Sequence, residues 1–283
     1  MIVCIVGPTG VGKTKLSVEL AKKYDAIIIN CDAMQVYKGL NIGTAKVREE
    51  EKQGIVHYLL DFVDVKENYT VADYQQNARS IIEKNKGKNI IFVGGTGLYL
   101  KAALWDYRFL EEENQESYDS YTNEELLKMC KEKNENCDIH VNNRRRLIRY
   151  LQRKEESKNA SPIYEAIYIG LTTSREKLYK IIDSRVDEML SNGLEKEVEY
   201  FYNQNIRSKA LTTAIGYKEL YQYFDKKCSK EEAINNIKKN SRHYAKRQYT
   251  FFNHQLPVKW FEVDYDHFEN TIKKVEEYIE KQK

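Results

Sequence analysis

The sequence predicts an α/β fold: a P-loop NTPase-like parallel sheet flanked by helices, with a small, shortened helical insertion and a C-terminal helical layer. Three observations lead there. Short apolar runs alternate with amphipathic stretches through the first hundred residues, a glycine-rich loop joins the first run to the first helical stretch, and residues Ser174 to Phe252 keep helical apolar spacing almost throughout.

The first run, Ile2 to Val6, reads as a buried strand, and a helix over Lys13 to Tyr24 leads to a second strand over Ala26 to Asn30. Runs at Val56 to Leu60 and Asn89 to Val93 bracket a helix near Val71 to Lys84, and the last strands fall at Ala166 to Leu171 and Val258 to Val263. Between these two, Leu178, Ile181, Ile182, Val186, Met189 and Leu190 share one helical stripe, which Leu211 to Tyr223 continues. From Asp106 to Asn143 the chain turns polar and acidic, as an insertion leaving the core would. The expected division is therefore 1–105 for the first part of the core, 106–143 for the insertion, and 144–283 for the rest of the core with its basic helices.

Composition narrows the class without naming it. The 283 residues are 41% hydrophobic and 31% charged, ordinary for a soluble globular protein, and no stretch approaches the roughly 20 apolar residues of a membrane span. The N-terminus lacks the basic start and small-residue cleavage site of a signal peptide. Cysteines at 4, 31, 130, 137 and 228 include no C-x-x-C pair, which argues against a disulfide framework or a zinc ribbon and fits a reducing cytoplasm. A net charge of +3 does not identify a nucleic-acid binder, because what matters is clustering on one face.

Gly7-Pro8-Thr9-Gly10-Val11-Gly12-Lys13-Thr14 satisfies G-x-x-x-x-G-K-[ST] and lies where a phosphate cradle must, directly after an apolar strand and opening a helix. The glycines let backbone N–H groups converge on phosphate oxygens, Lys13 adds a point charge, and the Thr14 hydroxyl is placed to ligate Mg²⁺. Most P-loop NTPases carry an Asp at the end of a later strand to support Mg²⁺ and the attacking water. The candidate strand here runs instead into Gly94-Gly95-Thr96-Gly97-Leu98-Tyr99, a second glycine turn opening a helix. It is either a second set of donors with one hydroxyl or a plain strand-to-helix turn.

Asp32 follows the second strand, at the edge where open α/β sheets bind ligands. A carboxylate there can ligate metal through water or take a proton from a nucleophile; capping a turn is the commoner use. Gln35 nearby has the paired donor and acceptor needed to read an adenine edge. Two basic runs stand out: Arg144, Arg145, Arg146, Arg149, Arg153 and Lys154, and then Lys238, Lys239, Arg242, His243, Lys246 and Arg247 beside Tyr244 and Tyr249. Each is a solvated basic face or an RNA backbone contact. Arg242 and Arg247 are candidates for the phosphate channel.

The stretches GPTGVGKT, DAMQVYKGLNIGTAK, VADY, VGGTGLYL, NRRRLIRYL, RVDEMLSNGLEKEV, AIGYKEL and YAKRQYTFF, in this order over nearly the whole chain, resemble the tRNA dimethylallyltransferase (tRNA isopentenyltransferase) family. The resemblance implies transfer of a dimethylallyl group from its diphosphate to the exocyclic amine of the adenosine 3′ of the anticodon. It implies that Asp32 is the general base, that Thr96 lies beside the reacting atoms, and that Lys13 and Thr14 with Mg²⁺ stabilise the departing diphosphate. It sets Asp32, Ala33, Met34, Gln35, Thr96, Arg145, Arg146, Arg149 and Lys218 against tRNA. The partners implied are the tRNA anticodon stem-loop and dimethylallyl diphosphate, with a monomeric, bacterial-type enzyme lacking the zinc finger of eukaryotic members. Departures are Val141-Asn142-Asn143 in place of Pro-Asn-Asp, Ser241 in place of Thr, Phe251 in place of Trp, Thr213 where some members carry Arg, and a shorter insertion. Two other readings fit a P-loop with basic helices: a small-molecule kinase using Asp32 on an acceptor hydroxyl, and a non-catalytic RNA-binding module.

Overall fold

The computed structural model describes residues 1–109, 117–152 and 161–283, in two compact units. The larger comprises Met1–Trp105 and Pro162–Lys283, the smaller Asp106–Ser161. In chain order the elements are β1 (Ile2–Val6), α1 (Lys13–Tyr24), β2 (Ala26–Asn30), α2 (Glu49–Lys52), β3 (His57–Tyr58), α3 (Val71–Lys84), β4 (Asn89–Gly94) and α4 (Gly97–Leu104). The smaller unit contributes α5 (Asn123–Lys133) and α6 (Arg144–Gln152). Then follow β5 (Ile167–Thr172), α7 (Arg175–Ser191), α8 (Leu194–Asn203), α9 (Lys209–Thr213), α10 (Tyr217–Phe224), α11 (Lys230–Gln255), β6 (Lys259–Glu262) and α12 (Phe268–Glu280).

The six strands form one wholly parallel sheet in the order β3-β2-β4-β1-β5-β6. Buried on both faces, the central strands need continuous apolar sequence. Val3 and Ile5 of β1 pack with Leu16 and Leu20 of α1 and Val275 of α12, while Cys4 and Val6 pack with Ala78 of α3 and Leu100 of α4. The chain leaves β1 toward β2 on one side and leaves β4 toward β5 on the other. Neighbouring strands whose connections diverge open a crevice at their carboxyl ends, and that is where the loops after β1 and β4 lie. A third apolar cluster joins α8, α9 and α10 to Val36, Leu40 and Val63, forming the helical layer predicted between the last strands.

Two helix starts show why the boundaries fall where they do. Thr70 and Asp73 form a capping box at α3, and Ser229 and Glu232 form another at α11. Two expectations need correction. The strand expected over Val56 to Leu60 is reduced to His57–Tyr58, an edge strand with a neighbour on one side only. The boundary expected at residue 143 falls at Ser161, because Leu147 of α6 packs in the same small core as Leu126 and Cys130 of α5. Amphipathic spacing shows that a face is buried, not which core receives it. The closing helix α12 went unpredicted. No helix among the described residues is long and apolar enough to cross a membrane.

Candidate active site

The crevice holds a cleft of about 590 Å³. Its floor is the phosphate loop, with Thr9, Gly10, Gly12, Lys13 and Thr14 lining it, and Asp32 to Gln35 lie alongside. One wall is α7, through Ile182, Arg185, Val186 and Met189; another is α11, through Ile237, Ser241, Tyr244, Arg247 and Gln248. Thr213 to Gly216 and Lys218, at the junction of α9 and α10, complete it. One end is thus cationic and rich in backbone donors, while the helical side is largely apolar.

The loop reaches α1 through Gly12, whose backbone is left-handed (φ +86°) and where a Cβ would fall 2.6 Å from the Phe268 ring. Only glycine meets both constraints. Gly7, Pro8 and Val11 shape the loop from below, with Val11 wholly buried. Lys13 donates from Nζ to the Pro8 carbonyl at 2.6 Å. Desolvation pushes its ammonium down to about 7 and the Arg185 charge adds to this, with Asp32 opposing both. Desolvation also lowers Arg185. Two cations held close in a partly dry crevice favour an anion between them. Thr14 is exposed in the first turn of α1.

Asp32 is fixed from beneath. Buried Asn30 donates from Nδ2 to the carbonyls of Asp32 (3.2 Å) and Leu59 (2.8 Å) and accepts the Asp32 N–H on Oδ1. Asp32 Oδ1 accepts the Met34 N–H at 2.9 Å. The turn-capping use and the site use of this carboxylate therefore coexist. Thr96 ties the ends of β2 and β4 together: its N–H donates to Cys31 O at 3.0 Å, and its Oγ1 accepts the Ala33 N–H at 3.0 Å. The Tyr244 phenol lines the cleft. Burial and the Asp32 charge push that phenol upward, while Arg247, 5.6 Å over the Tyr244 ring, opposes this. Gln35 is engaged differently from expectation, since its Nε2 donates to Thr44 O (3.0 Å) and Ala45 O (3.4 Å). The donor expected to read an adenine edge is thus bound within its own loop.

Over this arrangement, the model of the family described as IPP transferase matches residues 35–255. The chain is 44% identical to the tRNA dimethylallyltransferase of Anoxybacillus flavithermus over 99% of its own length and 96% of the relative's. The chain belongs to the IPP transferase family. Among solved members, it resembles the tRNA isopentenylpyrophosphate transferase of Bacillus halodurans with a TM-score of 0.76 at 39% identity, covering 98% of this chain and 95% of that one. A eukaryotic dimethylallyltransferase solved acting on tRNA matches with a TM-score of 0.73 at 26% identity, over 92% of this chain and 73% of that one.

In this IPP transferase family member the two basic runs separate. On α11, Arg242 pairs with Asp183 of α7 and lies over the Tyr179 ring at 5.8 Å, and Lys238 pairs with Asp187 at 2.6 Å. Of the two candidates for the phosphate channel, Arg247 lines the cleft and Arg242 is not among its lining residues. On α6, Arg144 donates to the carbonyls of Tyr118 and Tyr121 at 2.6 Å and so holds the small unit together. Arg145, Arg146 and Arg149 are exposed on the same helix. Arg153 and Lys154 lie outside the described residues.

Arg185 and Gln248 are among the cleft residues that the sequence reading did not single out. Arg185 had a readable signal, since it stands three residues after Ile182 and seven after Leu178, a charge on an apolar stripe.

Proposed function

We propose that the chain transfers the dimethylallyl group of dimethylallyl diphosphate to the exocyclic amine of the adenosine 3′ of the anticodon in tRNA. The observation that carries this is the placing of Asp32 and the phosphate loop in one cleft, with the apolar side chains of Ile182, Val186, Met189 and Ile237 on its helical walls. The hydrocarbon tail suits those side chains and the diphosphate suits the loop. As the adenine nitrogen lone pair forms a bond to C1 of the dimethylallyl group, the C1–O bond breaks and its electron pair leaves on the diphosphate. The nitrogen becomes cationic and gives one proton to Asp32. Lys13, Arg185 and the loop N–H groups take up charge on the leaving group, the larger share of the catalysis because an adenine amine is a poor nucleophile. The adenosine must leave its stack to reach Asp32.

Mg²⁺ fits this donor set. Magnesium binds through one or two protein oxygens plus phosphates and water, and the exposed Thr14 hydroxyl and nearby Asp32 are donors of that kind. No group of three or more His, Cys, Asp or Glu able to hold a metal by itself occurs among the described residues, which fits an ion brought with the diphosphate. When bound it supplies Lewis-acid neutralisation of the phosphate oxygens. Arg145, Arg146, Arg149 and Lys218 are proposed to hold the RNA backbone, the enzyme is proposed to act as a monomer, and cysteines with no C-x-x-C pair suit work in a reducing cytoplasm.

The test is transfer of label from dimethylallyl diphosphate to an anticodon stem-loop with adenosine 3′ of the anticodon. Diphosphate release and labelled RNA in equal amounts are expected. Turnover of ATP with no labelled RNA would overturn the reading.

A further inference from the structure

Gln248 lies on the α11 stripe that faces the cleft, one turn beyond Tyr244, and is 5% exposed. Its Nε2 donates to the Gly95 carbonyl at 3.0 Å. Its Oε1 is also buried and has no hydrogen-bond partner among the described residues. The orientation of the amide follows from chemistry: a carbonyl oxygen only accepts, so Gly95 holds the NH₂ end, and turning the amide over would set two acceptors face to face. Buried acceptors are almost always satisfied, and one that lines a cleft points to a donor arriving with a ligand. Gly95 also sets the location. A Cβ there would fall 2.0 Å from Gln248 Nε2 and 3.9 Å from Asp32 Oδ2, so the amide and the carboxylate flank the same glycine.

We propose that Gln248 Oε1 accepts one N–H of the exocyclic amine of the target adenine, holding that nitrogen between Gln248 and Asp32. This rests on the reading of the site given above. Of the two substrates, dimethylallyl diphosphate offers only hydrocarbon and anionic oxygens, neither of which satisfies an acceptor. The adenine base has hydrogen-bond donors only at its amine. That amine has two hydrogens. One faces Asp32 and leaves as the N–C bond forms; the other faces Gln248 and stays on the nitrogen in the product. The pair of acceptors also selects an amino group over a keto group, because the O6 of guanine or hypoxanthine would meet Oε1 as a second acceptor.

The experiment is a binding cycle. An anticodon stem-loop carrying adenosine at the target position, and one carrying purine riboside, which lacks the amine, are each titrated against wild type and Gln248→Met. Wild type is expected to prefer adenosine by about tenfold, and the variant to lose most of that preference. The KM for dimethylallyl diphosphate should stay within about twofold while kcat falls about tenfold. If Gln248 only braces Gly95, both loops weaken together and the ratio is unchanged, which overturns the proposal. Gln248→Asn, which withdraws the amide by one methylene, is read in the same cycle should the Met variant not fold. Labelled transfer by wild type with an unchanged ratio in the variants removes the Gln248 role alone; no transfer by wild type removes the site reading and this proposal with it.

Discussion

Helices α6 and α11 look alike in sequence, each with several arginines or lysines at helical spacing, yet the fold uses them in opposite ways. On α6 the apolar side closes a small core of its own and Arg145, Arg146 and Arg149 stay at the surface. On α11, Lys238 and Arg242 are drawn into pairs with Asp187 and Asp183 of α7, and the side facing the cleft is Ile237, Ser241, Tyr244, Arg247 and Gln248. On α11 the carboxylates of a packed neighbour neutralise part of the basic run. Of the basic run on α11, Arg247 lines the cleft, beside the uncharged Ser241, Tyr244 and Gln248.

This contrast can be broken at several points. The largest expected effect is in the cleft: Asp32→Asn should lower kcat by about a hundredfold or more while tRNA affinity stays nearly unchanged, measured by single-turnover transfer and filter binding. A joint loss of both would mean that Asp32 holds the fold. Next, replacing Arg145, Arg146 and Arg149 together with Ala should weaken stem-loop binding about tenfold. The dependence of log affinity on log salt should become shallower by about two, with kcat at saturating RNA retained. An unchanged salt slope would place the RNA elsewhere.

A third test concerns the floor of the cleft. Lys13 is held down at about 7 in the free protein, and a bound diphosphate favours its charged form, so the complex binds more protons than the free protein above that pH. Affinity for inorganic diphosphate should fall as pH rises above 7, by up to about tenfold per unit. Calorimetry at pH 8 in two buffers of different ionisation enthalpy should show proton uptake; proton release would contradict it. The smallest effect is expected at Arg242→Ala. Removing a partly exposed ion pair should cost below about 1 kcal/mol, a shift of about 1–2 °C in melting, and leave the KM for dimethylallyl diphosphate within about twofold. A large rise in that KM would return Arg242 to the phosphate channel.

The strands were legible because β1, β2 and β4 are buried on both faces and are apolar at nearly every position, and the phosphate loop because its residues are adjacent in sequence. Less was legible where partners come from distant segments. Nothing in the spacing of α11 foretells that Asp183 meets Arg242 or that Gln248 reaches Gly95 across 153 positions. The boundary at Ser161 was hidden for the same reason, since Leu147 announces a buried face without naming its neighbours.

The sequence by itself determined the parallel sheet, the loop after β1 and the positions of Asp32 and Thr96 at strand ends, because these follow from local periodicity and from glycines that a short turn requires. Only the tertiary structure decided which charges remain available and which polar atoms are left wanting a donor. A side chain's hydrogen bonds and ion pairs depend on what folding sets against it, and those neighbours lie tens to hundreds of residues away.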